Sequence, residues 1–161
     1  MNKKDYVLRI SVIFLAFSFP FICLFNPDLK SSLSSSWYTS LKPLFITVNA
    51  ATAYFLFSLD NWKTPSVFLL LLTAFSVEDY GLLHNIFATI FFLSVIYSIH
   101  SNSRLKWYLI PYCSSLLLAP FGLLYLEIVC VCTMCVFHAH LLYFKWNVDF
   151  NRKKIQQDLV E

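Results

Sequence analysis

The chain has 161 residues, 58% of them hydrophobic and 13% charged, with a mean hydropathy of +0.65 and a net charge of +3. Soluble domains carry about a quarter charged residues, so this composition excludes an ordinary soluble domain. A charge so small, and carried mostly by loops and ends, reflects loop orientation more than a nucleic-acid surface.

The apolar runs are near the length that crosses about 30 Å of hydrocarbon, which predicts an all-α, polytopic membrane bundle. Aromatics make up 19% of residues and glycines number two, Gly81 and Gly122. Close backbone contacts of the GxxxG kind are therefore not expected, and the helices should pack through large side chains.

The first span is expected over Tyr6–Leu24, ended by Asn26-Pro27. Lys3 and Lys4 before an apolar run resemble a signal peptide, but no small-residue cleavage site follows, so an uncleaved span is expected. A polar loop, Asp28–Lys42, carries the serine-rich SSLSSSWYTS. Span two starts at Pro43, whose missing N–H costs nothing in a first helical turn, and runs to Leu59. After Asp60–Lys63 comes span three, Pro65–Val77, at about 20 Å the shortest unless its flanks extend it. Span four is Gly81–Ile99, and His100–Lys106 is a basic loop. Span five is Trp107–Ala119, and Pro120-Phe121-Gly122 makes a hairpin into span six, Leu123–Lys145. The transmembrane domain is thus 1–145, and 146–161 is a charged tail, either a short surface helix or disordered.

Orientation follows from the basic residues. With six spans and both ends in the cytoplasm, Lys3, Lys4, Arg9, Lys63, Arg104, Lys106, Lys145, Arg152, Lys153 and Lys154 fall inside. Lys30 and Lys42 fall outside. A five-span alternative, with the third re-entrant, would put the basic tail outside. The predicted topology gathers Ser31–Ser40, Glu78, Asp79, His84 and the Pro120 hairpin at the outer face, with Glu127 just over one turn below the hairpin.

Glu127 is the sharpest residue, because a carboxylate within a span is usually paired or functional. The bland alternative is an interfacial side chain reaching water. His84, at the mouth of span four, follows Glu78 and Asp79 by six and five residues. Carboxylate and imidazole together suit a divalent cation or proton transfer, but the spacing fits no strict metal signature. No metal or other cofactor is specified, and a histidine bonded to a neighbouring helix is the plainer reading. His138 lies three turns after Glu127 and should share its face, a polar seam about 16 Å long. His140 points the other way. Cys132-x-x-Cys135 is similar to the redox pair of vitamin K epoxide reductases. The upstream pair of that family is missing, so the cysteines are expected to pack as small apolar groups.

The order of features also resembles a bacterial six-span domain-of-unknown-function family, grouped with the DRAM-like and FGF-receptor-activating-protein-like membrane proteins. The loop Ser32-Leu33-Ser34-Ser35-Ser36-Trp37-Tyr38-Thr39, running on through Lys42-Pro43-Leu44-Phe45, aligns with that family's SISAYYxTxxRDLF. His84, Ala88, Phe91 and Phe92 fit its H-x-x-x-A-x-x-F-F. Glu127 and Lys145 match its glutamate early in the last span and lysine at its end. The family's Arg-Asp is Lys42-Pro43 here, and its first tyrosine is Ser36. The resemblance implies a membrane location and a six-helix bundle, with a pointer toward lipids from some eukaryotic relatives. It implies no reaction.

The sequence therefore predicts six spans with an outward polar pocket, in the plasma membrane (the inner membrane of a bacterium). Ser34, Trp37, Tyr38, Asp79, His84 and Glu127 are expected to line it. The expected function is binding of a lipid head group or small amphiphile, or support of a membrane partner, either another protein or a second copy. One alternative is a lipid hydrolase or transferase, metal- or acid/base-dependent, with His84 and Glu127 as the catalytic pair. A second is a small transporter.

Overall fold

A computed structural model describes residues 2–27 and 32–158, with residue 119 and residues 151–158 described by backbone alone. Residues 28–31 and 159–161, which include Lys30 and the end of the tail, lie outside the described residues.

All the regular structure among the described residues is helical. Six α-helices follow in order: α1 (Lys3–Leu24), α2 (Lys42–Phe57), α3 (Lys63–Ala74), α4 (Gly81–His100), α5 (Leu109–Ser114) and α6 (Leu123–Asp158). Three of them, α1, α4 and α6, contain stretches long and apolar enough to cross a membrane. Short 3₁₀ segments occupy Leu33–Tyr38, Asp60–Trp62, Lys106–Tyr108 and Ser115–Phe121.

Each α-helix packs on its neighbours in the chain, and α6 returns to α1, so the six close into a ring. The centre of the ring is filled by Leu56, Val95, Ile99 and Phe137, all fully buried. Large apolar side chains also point outward from every quarter, among them Phe14, Tyr54, Leu70, Leu93, Ile110 and Leu117. Water disfavours so large a contiguous apolar exterior.

Polar ties fix the antiparallel order. Arg9, paired with Asp5 at 3.0 Å, donates to Ser58 Oγ at 3.1 Å, joining the start of α1 to the end of α2. Ser66 Oγ donates to Ala53 O at 2.6 Å between α2 and α3. Tyr108 Oη and His140 Nδ1 meet at 2.6 Å, fastening the start of the fifth segment to α6.

Two expected spans differ in form. The fifth is an α-turn and a half between two 3₁₀ segments. Pro111 and Pro120 each lack an N–H for the helix ladder, and Ser115 Oγ donates to Tyr112 O at 2.6 Å, taking a backbone acceptor. The sixth does not end at Lys145: α6 continues to Asp158, and Trp146 lies against Tyr6 with ring centroids 4.6 Å apart. Gly122 makes the hairpin with φ of +122°, a region that side-chain-bearing residues avoid.

Candidate functional site

The serine-rich stretch forms a 3₁₀ turn that sits across the end of the bundle and is held from every side. Glu127 on α6 accepts the Leu33 N–H at 2.6 Å, satisfying a donor that the start of a helical turn leaves free. His84 on α4 has Nε2 at 3.1 Å from Ser34 Oγ and Nδ1 at 2.7 Å from Phe75 O. Because a carbonyl only accepts, Nδ1 carries a proton, and in the neutral imidazole Nε2 then accepts the Ser34 hydroxyl. Ser36, fully buried, meets Cys23 Sγ of α1 at 3.3 Å. Tyr38 Oη accepts the Glu78 N–H at 3.0 Å, reaching the loop between α3 and α4. Trp37 meets Phe45 of α2 edge-on, with the Lys42 ammonium 4.2 Å from its ring centroid.

Beneath this turn, between α4, the broken fifth segment and α6, lies a cavity of about 430 Å³, within the usual range for small-molecule sites. Ser32, Ser34, His84 and Glu127 line it where it meets the turn, and Phe92 and Ile96 line it farther along α4. The cavity thus joins polar groups at the turn to a largely apolar wall that also carries Asn85, Thr89 and Ser115.

Of the six expected pocket residues, Ser34, His84 and Glu127 share this cavity. Trp37, Tyr38 and Asp79 are not part of its lining. Asp79 is exposed and takes a hydrogen bond from Ser76 Oγ within its own loop. Trp37 and Tyr38 instead brace the turn. Tyr112, Cys113, Ser115 and Cys130 also line the cavity. The cysteines were expected only to pack as small apolar groups, and Tyr112 and Ser115 were not singled out from the sequence. No motif marks Tyr112 and Ser115, which lie in the broken fifth segment. Among the described residues, no three His, Cys, Asp or Glu side chains gather closely enough to hold a metal ion.

His138 does not join Glu127 in one polar seam. It lines a second, central cavity of about 100 Å³, with its ring against Trp62 at 4.2 Å and Phe137 at 5.2 Å. Leu33 lines that cavity too, so the residue that Glu127 holds stands between the two spaces. Among the described residues the five cysteines are free thiols, with Cys135 buried and Cys132 half-buried.

No family model, curated protein or solved structure matches this chain.

Proposed function

We propose that the protein is a six-crossing membrane protein that binds a lipid head group or small amphiphile in the cavity beneath its serine-rich turn. The observation that carries this reading is the cavity's mixed lining: serine hydroxyls, an imidazole and a carboxylate beside the turn, with aromatic and aliphatic side chains over much of the rest. An amphiphile carries the same two kinds of group.

In this reading both termini are cytoplasmic and the turn faces outward, in the plasma membrane of its cell. The ten-to-two bias of basic residues supports it. The bacterial six-span family that the sequence resembles has the same plan, and we place the chain with it.

Binding is favoured over the hydrolase or transferase reading because both nitrogens of His84 already have partners, Phe75 O and Ser34 Oγ. It is favoured over transport because the α6 residues between Glu127 and His138 that line the central cavity are Val131, Met134 and Cys135, and its other polar lining residues, Asn49 and Thr52, lie on α2 and are not part of the lining around Glu127.

Native mass spectrometry of the detergent-purified protein tests this. The wild type should retain an adduct of lipid mass. Ala88→Trp, which fills the cavity from its α4 wall, should lose the adduct while keeping its thermal transition. No adduct on the wild type, or an equal adduct on Ala88→Trp, contradicts the reading.

A further inference from the structure

The central cavity holds two buried polar atoms without partners. His138 is buried, and its Nδ1 lies 2.8 Å from Met134 O one turn back on α6. That carbonyl fixes the proton on Nδ1 and leaves Nε2 as a hydrogen-bond acceptor. Nothing among the described residues donates to it. Thr52 on α2, which lines the same cavity, also leaves its hydroxyl unbonded. Threonines in helices ordinarily bond the carbonyl one turn back, as Thr47, Thr73 and Thr89 do here. Thr52 does not. Asn49, one turn before Thr52, lines the same space.

Unpaired buried polar groups cost free energy and are rare. Two of them lining one cavity, with an amide beside them, indicate an occupant. The space of about 100 Å³ admits a few waters, each of which needs about 10–15 Å³ of such space. The occupant is therefore small. It must donate to an imidazole nitrogen and bond a hydroxyl, while most of the wall is apolar. A cation is disfavoured, because no carboxylate lines the cavity.

We propose that this cavity is a binding site for a small hydroxyl ligand, water or a short alcohol, that donates its O–H to His138 Nε2 and is bonded by Thr52. The site is separate from the amphiphile cavity and does not depend on that reading.

The test is NMR of the full chain, labelled with ¹⁵N at histidine, in lipid nanodiscs. The His138 Nε2 resonance is read in buffer, with added ethanol, and under xenon pressure. In buffer, the expected result is an Nε2 signal shifted upfield from a free acceptor nitrogen, with a cross-peak to water protons. Replacement of that cross-peak by one to ethanol identifies an alcohol-accepting site, and its persistence identifies a water site. Either outcome supports the proposal. Thr52→Val should weaken occupancy about fivefold, as expected for one lost hydrogen bond. Three results would overturn the proposal. One is an Nε2 at the free-acceptor position with no solvent contact. Another is a cross-peak to the Thr52 hydroxyl instead, meaning the two groups bond directly. The third is xenon filling the cavity without moving Nε2, which marks a dry void.

Discussion

Glu127 and Leu33, 94 residues apart in the chain, are joined by a hydrogen bond of 2.6 Å from the Leu33 N–H to the Glu127 carboxylate. One residue later, His84 takes the Ser34 hydroxyl. Two side chains from two different helices thus grip consecutive residues of one turn, and that turn roofs the larger cavity.

The first prediction concerns that grip. Glu127→Leu leaves the Leu33 N–H without an acceptor, which costs about 1–3 kcal/mol. Glu127→Gln keeps a carbonyl oxygen in place and should cost less than half as much. Thermal unfolding of both variants in one detergent checks the order. Equal losses would mean that the carboxylate serves something other than the turn.

His84→Ala removes the acceptor for Ser34 and the donor to Phe75 O, two partners at once. The expected loss is about 2 kcal/mol, with the turn loosened. A reporter thiol from Ser35→Cys, buried in the same turn, should react several-fold faster with a small maleimide in the His84→Ala background. An unchanged rate would show that the turn stands without the histidine.

The two glycines should respond in opposite ways. Gly122 has φ of +122°, so Gly122→Ala should cost about 1–3 kcal/mol and disturb the entry into α6. Gly81 has nothing within 4 Å of a built Cβ, so Gly81→Ala should be neutral or stabilising by up to about 1 kcal/mol. Thermal shifts of the pair measure both. Comparable destabilisation would contradict the assigned hairpin.

At the ring's centre, Phe137 is fully buried against Trp62 and Tyr108, with centroids 5.5 and 5.6 Å away. Phe137→Ala should destabilise by about 3–5 kcal/mol. Phe14→Ala on the exposed outer face of α1 should cost far less in detergent. Melting temperatures of the two variants would expose any error in the inside-outside assignment of these rings.

The bounds of α1, α2 and α4 were legible because apolar runs between polar breaks directly mark helices of this size. The breakup of the fifth segment was not. Hydropathy counts apolar residues but does not register that Pro111, Pro120 and Ser115 divert backbone hydrogen bonds. The end of α6 was misplaced for a related reason: charge after Lys145 marks a change of surroundings, not a break in the ladder. Glu127 and His84 stood out as polar residues in apolar stretches, yet their partners could not be read. Leu33 and Ser34 are brought to them only by closure of the ring. Asp79 looked like a site residue by its nearness to His84, whereas its local bond to Ser76 Oγ keeps it in the loop. The expected seam from Glu127 to His138 followed from helical spacing alone, which does not show that different neighbours wall off each end.

Orientation underlies the account, and labelling tests it most directly. Asp79→Cys, with the exposed native Cys113 replaced by Ser, should react with a membrane-impermeant maleimide in intact cells. Labelling of that position only after the cells are opened would turn the polar roof toward the cytosol and contradict the outward-facing cavity.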